Sequence, residues 1–300
     1  MSEYKPIAVT LGDPAGIGPE VVRAALNSDE LVRTVPFEVV GQPPIAQGTP
    51  TPAGTLAAYA AMESAAAGLR AGLYSAVVTG PIHKAKMREV GFRYPGQTEF
   101  FAQSLNTTNF AMCLTGGKLT VALVTAHEPL SRVPLLLCAP EIIRVGRLLE
   151  AFLHTRLARA PRIAVAGLNP HAGESGLLGT EEQNVIVPAI ESLQAESAAR
   201  GMTGIYSGPW SPDTVFHRAL LGDFDGVLCM YHDQGLIPLK LHAFDSGVNV
   251  TLGLPFPRTS PDHGTAFEIA GKGVASPNSM IAAMNLASEM VQAKARSKNA

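Results

Sequence analysis

Residues 119–168, LTVALVTAHEPLSRVPLLLCAPEIIRVGRLLEAFLHTRLARAPRIAVAGL, decide the fold class. The segment opens on a short β-branched run, LTVALVT (119–125), and passes into a long helical pattern, PEIIRVGRLLEAFLHTRL (140–157). It closes on a second short run, RIAVAGL (162–168). Strand, long helix, strand is the crossover unit of a parallel sheet. The alternation repeats in both directions. Strands are predicted at IAVTL (7–11), FEVVG (37–41), SAVVTG (75–80), GVLCMY (226–231) and NVTLGL (249–254). Helices are predicted at 19–26, 54–69, 181–197 and 280–293, and GQPPIAQGTPTPAG (41–54) reads as a linker. The expectation is an α/β fold with a largely parallel sheet and helices on both faces.

Composition narrows the function classes. The chain has 300 residues, 46% hydrophobic and 16% charged, which is too apolar for a disordered protein. Lys plus Arg is 23 against 25 for Asp plus Glu, so the basic footprint of a nucleic-acid binder is missing. Cys113, Cys138 and Cys229 are odd in number, far apart and set in apolar runs, which reads as three buried thiols in a reducing compartment. No stretch approaches the roughly 18 apolar residues of a membrane span, and MSEYKPIAVTL lacks the pattern of a signal peptide. A soluble cytoplasmic protein, with neither nucleic acid nor membrane as partner, is expected.

Three histidines share one address. Strand 119–125 runs into His127, strand 162–168 into His171, and strand 226–231 directly into His232. Ligands of open α/β sheets bind beyond the carboxyl ends of the strands. Each alone reads more readily as a polar strand end, but three imidazoles at one address with an open fourth position suit a catalytic metal. Asp213, Lys240, Asn249 and Arg258 are read onto neighbouring loops, where Lys and Arg suit an anionic substrate. Two Gly-rich turns, GDPAGIGPE (12–20) and DHGTA (262–266), can present backbone N–H groups to phosphate. Neither has the Gly-x-Gly-x-x-Gly or Gly-Lys-Ser/Thr pattern of the common nucleotide loops, and no Gly-x-Ser-x-Gly elbow marks a serine hydrolase.

With TGPIHK (79–84), GQTEFF (96–101), GLNPHAGESGLLGTEE (167–182), MYHDQGLIPLK (230–240) and GVNVTLGLPFPRTSPDHGTAFEIAGKG (247–273), the chain resembles the 4-hydroxythreonine-4-phosphate dehydrogenase family of pyridoxal phosphate synthesis. The DHGTA-to-AGKG region also resembles the wider isocitrate and isopropylmalate dehydrogenase superfamily. The resemblance implies two α/β domains around a central cleft, without a Rossmann fingerprint. Residues 1–95 plus 250–300 would form the first domain, with both termini and the cofactor loops; residues 96–249 would form the second, with the metal site and dimer interface. It implies His127, His171 and His232 as metal ligands, one of them from the partner subunit of a homodimer. Gln97, Thr98, Lys240, Asn249 and Arg258 would contact substrate, and His263, Gly264, Thr265 and Ala266 would lie along NAD(P). Lys240 and Asp213 are the candidates for proton transfer. Zinc is the favoured ion, with cobalt or magnesium as alternatives.

The implied reaction is NAD(P)-dependent oxidation of 4-phosphooxy-threonine (4-hydroxythreonine 4-phosphate) at its secondary alcohol. The resulting β-keto acid would decarboxylate to 3-amino-2-oxopropyl phosphate. Two departures from the family stand out: Gln97 occupies a position usually held by His, and segment 41–54 replaces a longer one. A glutamine cannot become cationic, so oxidation of 4-phospho-threonate or 4-phospho-erythronate stays open, and metal-dependent hydrolysis at a three-histidine site is a more remote alternative.

Overall fold

The computed structural model describes residues 4–41 and 48–299, so residues 42–47 of the expected linker lie outside it. In chain order the elements begin with β1 (Ile7–Thr10), α1 (Gly18–Asn27), β2 (Phe37–Val40), α2 (Pro52–Arg70), β3 (Ala76–Thr79), α3 (Lys84–Glu89) and α4 (Gln97–Ser104). There follow β4 (Ala111–Gly116), β5 (Leu119–Leu123), α5 (Val133–Leu136), α6 (Ala139–Leu157), β6 (Ile163–Ala166), a single π-helical turn (Glu182–Ile186) and α7 (Val187–Ala199). The last are β7 (Tyr206–Trp210), α8 (Val215–Leu220), β8 (Gly226–Cys229), α9 (His232–Ala243), β9 (Val248–Leu252), β10 (Arg258–Pro261) and α10 (Asn278–Asn299). No helix among the described residues is long and apolar enough to cross a membrane.

The chain divides into two compact units, one ending at Thr108 and resuming at Asp245, the other spanning Asn109–Phe244. Boundaries expected at 95/96 and 249/250 therefore fall at 108/109 and 244/245. The reason for the first shift is packing: Phe100, Phe101 and Leu105 of α4 and its end join Met62, Leu69 and Met87 of α2 and α3 in one buried cluster. Each such apolar side chain removed from water contributes about 1.5–3 kcal/mol, enough to hold α4 with the first unit.

In the first unit the strand order is β2-β1-β3-β10-β9, parallel except for the β9–β10 pair. Strands β1 and β3 are buried along their whole length, which is why they read as unbroken apolar runs. In the second unit the order is β4-β5-β8-β6-β7, with only β4–β5 antiparallel. Helices α8 and α9 pack on this sheet through Val215, Phe216, Leu236 and Leu239. Gly146 of α6 lets Leu193 of α7 close in: a Cβ there would lie 2.8 Å from the leucine. Of the three thiols, Cys113 and Cys229 are buried as expected, but Cys138 is exposed at the start of α6.

Candidate active site

Arg258, expected on a loop, lies in β10, and Asn249 lies in β9. The Arg258 side chain is 3% exposed, yet its partners are neutral hydroxyls. Its Nη2 donates to Thr79 Oγ1 at 2.7 Å, and its Nη1 donates to Thr98 Oγ1 and Thr251 Oγ1, both at 3.2 Å. Among the described residues its Nε has no partner. Burial pushes the guanidinium pKa down to about 10, with Glu99 acting weakly in the other direction. A buried cation held by hydroxyls rather than by a carboxylate keeps its charge for an outside anion, and its planar fork matches phosphate or carboxylate. Gln97 donates from Nε2 to the Gly80 carbonyl at 3.0 Å, while Gln97 Oε1 and Asn249 Oδ1 are buried without a partner among the described residues.

The two Gly-rich turns are built against each other within the same unit. Ile17 N–H donates to the Thr265 carbonyl at 2.9 Å, and a Cβ on Gly16 would lie 2.6 Å from that same oxygen. Gly12 has φ +74° and would clash with the Pro81 carbonyl if it carried a side chain. Unsatisfied polar atoms collect here: Asp13 Oδ2, Glu20 Oε1 and His263 Nε2 are buried with no partner among the described residues. Such groups are costly unless a ligand completes them. Backbone packed this closely beside open acceptors and donors fits a dinucleotide.

In the second unit, His127 follows β5 with φ +55°, and His232 opens α9; their ring centroids are 5.4 Å apart. Two imidazoles bound tetrahedrally to one zinc-like ion at about 2.1 Å place their centroids about 5 Å apart, so this pair fits a metal. His232 Nδ1 lies 2.7 Å from the Asp233 carboxylate, which leaves Nε2 for an ion, as metal-bound histidines usually are held. His171 sits on a left-handed stretch in which residues 171–175 all have positive φ. The Asp213 carboxyl is held below its ordinary range, first by the Ser211 hydroxyl and, more weakly, by His171. Among the described residues, no three His, Cys, Asp or Glu side chains gather into a metal-holding group within one chain.

Lys240, also expected on a loop, lies on α9, eight residues beyond His232. Two further histidines have local duties. His83 Nδ1 accepts from Lys86 N–H at the start of α3, and His242 Nε2 accepts from Lys118 N–H. Residues outside the predicted sites also belong to these clusters. Thr79 and Thr251 are single hydroxyls inside apolar strands, a legible signal once Arg258 needs partners. Glu182 and Gln234 are discernible only after folding, because their partners include backbone groups of the histidine loops, and Asn169 because its amide donates to the Glu181 and Glu182 carboxylates.

Residues 18–287 match the family described as pyridoxal phosphate biosynthetic protein PdxA. The chain belongs to the PdxA family. A 4-hydroxythreonine-4-phosphate dehydrogenase of Geobacter metallireducens is 40% identical over 338 aligned residues, covering 98% of both chains. The crystal structure of the enzyme of that name from Klebsiella pneumoniae superposes with a TM-score of 0.79 at 36% identity, covering 96% of this chain and 100% of the other. A beta-decarboxylating dehydrogenase from Thermococcus kodakarensis shares the fold alone: its TM-score is 0.53 at 17% identity, over 94% of this chain and 81% of that one.

Proposed function

We propose that this PdxA-family chain oxidises 4-hydroxythreonine 4-phosphate with NAD(P), giving a β-keto acid that loses CO₂ to leave 3-amino-2-oxopropyl phosphate. The observation that carries the reading furthest is Arg258, a buried cation whose own partners are three hydroxyls, suited to the substrate's phosphate. Thr98 and Asn249 would complete that contact. The paired turns at 12–18 and 262–266 would hold the dinucleotide through His263, Gly264, Thr265 and Ala266. His127, His171 and His232 would hold a divalent ion, zinc in preference to cobalt or magnesium, because neutral imidazole is a poor ligand for magnesium. When bound, the ion would lower the pKa of the alcohol and the nicotinamide would accept the hydride.

The chain's own groups then divide the remaining work. Asp213, held ionised by Ser211, is a weak base and serves to orient His171. Lys240 is left as the group that takes up the alcohol's proton. Since no three ligands gather among the described residues of one chain, one imidazole would come from a second copy. Helix α9 supports this: Ile237 and Leu241 on the helix that starts at His232, and Phe244 that caps its end, leave 66%, 89% and 77% of their surface exposed. An apolar stripe of that kind marks an interface, and a second copy of the chain is the occupant that also supplies the missing ligand.

Gln97 bears on the choice among related substrates. Because Gly80 O can only accept, Gln97 must turn its amide N–H to it, leaving the neutral oxygen Oε1 as the open group. An open acceptor takes a hydroxyl or the ammonium of 4-hydroxythreonine 4-phosphate alike, so 4-phospho-threonate and 4-phospho-erythronate are the related substrates to compare with it. The purified chain with zinc or cobalt should reduce NAD(P) in the presence of 4-hydroxythreonine 4-phosphate, followed by the nicotinamide absorbance. Faster turnover with either phospho-acid would move the assignment to that substrate, and no reduction with any of the three would refute it.

A further inference from the structure

The loop that carries His171 is held by one carboxylate. Glu182 is 3% exposed, and its Oε1 accepts from the backbone N–H groups of Leu168 and Asn169 at 2.7 and 2.8 Å. Its Oε2 accepts from Asn169 Nδ2 at 3.0 Å, and the same amide donates to Glu181 at 2.7 Å. The loop is shaped around this group. A Cβ on Gly173 would lie 2.6 Å from Glu182 Oε2, and one on Gly167 would lie 3.2 Å from Oε1. Glu182 therefore fills the concave side of residues 167–173, two backbone donors and one side chain deep.

The conformation of His171 needs such a device. His171, Ala172, Glu174 and Ser175 have φ of +52°, +52°, +42° and +58°, a left-handed run made almost entirely of residues with a Cβ. Non-glycine residues persist there only where the surroundings over-determine them. Glu182 also begins the π-helical turn, a widened turn common at functional sites. From the opposite direction Gln234, 7% exposed and two residues beyond His232, donates to Gly167 O at 2.6 Å and accepts from Met230 N–H at 2.7 Å. The His171 loop is thereby tied to the strand exit that presents His232.

We infer that Glu182 is a positioning residue: its buried carboxylate, bonded to Leu168 and Asn169, presets the left-handed loop that aims His171 at the metal. This rests on the reading of His171 as a metal ligand. Replacing Glu182 with Gln keeps an oxygen for the two backbone donors but turns an amide N–H₂ toward Asn169 Nδ2, donor against donor. The loop should then sample several conformations while the fold survives.

The test is titration of metal-free protein with Co²⁺, read by calorimetry and by the ligand-field spectrum, on native chain, Glu182→Gln and His171→Ala. Glu182→Gln should lose 10- to 100-fold in Co²⁺ affinity, the range expected when a group supporting a metal ligand is removed. Its kcat should fall in parallel, with KM for the phosphorylated substrate within about twofold of native, because Arg258 is untouched. Native Co²⁺ affinity and spectrum in Glu182→Gln, with loss in His171→Ala, would overturn the positioning role and spare the ligand assignment. Native affinity in both variants would remove His171 from the metal site and the inference with it. Should Glu182→Gln fail to fold, Asn169→Ala, which deletes only the side-chain donor, takes its place. A several-fold loss of affinity there supports the inference, and an unchanged titration overturns it.

Discussion

Arg258 illustrates how a single buried charge can be recognised as functional. Holding its pKa near 10 against an ordinary 12.5 costs about 3 kcal/mol, a burden with no structural return because its partners are hydroxyls. A lysine could satisfy one of Thr79, Thr98 and Thr251 but not span all three. Arg258→Lys should therefore raise KM for the phosphorylated substrate about 10- to 100-fold, the equivalent of one or two charged hydrogen bonds, with kcat within a few-fold of native. The sign of the pH effect follows from the lowered pKa: the cation is present below about 10, so native KM should climb as pH rises through that value. Gln97 gives a complementary test. Gln97→His would introduce a group that becomes cationic below about 6.5, and KM for a phosphate-bearing substrate should then fall as pH drops through that value. The native glutamine contributes no such slope, and equal profiles for the two proteins would show that residue 97 is remote from the anion.

At the scale of elements, the Gly-rich turns act as a pair, and their glycines are not equivalent. Gly16 has no room for a Cβ because Thr265 O closes over it, whereas nothing lies within 4 Å of a Cβ on Gly264. Gly16→Ala should prise the turns apart, lowering thermal stability and raising KM for NAD(P) about tenfold or more. Gly264→Ala should leave stability unchanged, so that any rise in its NAD(P) KM reports a direct clash with the dinucleotide; equal melting losses in both variants would contradict the packing. These turns were legible in sequence because glycine and proline punctuate a chain strongly. So were β1, β3, β5, β6, β8 and β9, each an apolar β-branched run. Strand β10 was not: Arg-Thr-Ser-Pro carries no apolar period, and it is a strand because β3 and β9 flank it and Thr259 Oγ1 donates to Ala283 O of α10. Lys240 is expected on a loop, yet α9 runs through Gly235 and Pro238 to reach it, held by Leu236 and Leu239 in the core. The three histidine addresses were visible as strand exits. What fixes the His171 loop was not, since Glu182 acts on backbone N–H groups that only the fold brings to it.

At the scale of the molecule, stability and assembly can be probed separately. Asp225 accepts from Arg159 and from the backbone and side chain of Arg162, joining the approach to β6 with the start of β8. Burial opposes its ionisation, but these donors win and pull its pKa down to about 2. Its contribution, about 1 kcal/mol because its half-exposed arginine partners are screened by solvent, is therefore present above the unfolded pKa near 3.9 and lost as pH falls through about 2. Asp225→Asn should lower stability at neutral pH by that amount and flatten the acid limb of a urea-denaturation series; parallel acid limbs would refute it. Assembly is tested at Leu241. Its side chain, 89% exposed, makes almost no contribution to the single chain, so Leu241→Glu should leave the isolated fold intact. If α9 meets its copy in a second molecule, the same change places a charge in an apolar interface and should shift sedimentation toward the monomer. Activity and Co²⁺ binding should fall together with the dimer, because the ion would lose the imidazole that the other copy supplies. Native protein diluted through its own dimer dissociation should show the same linked loss. A Leu241→Glu monomer that binds Co²⁺ with native affinity would mean that one chain holds the ion alone, and the shared site would have to be abandoned.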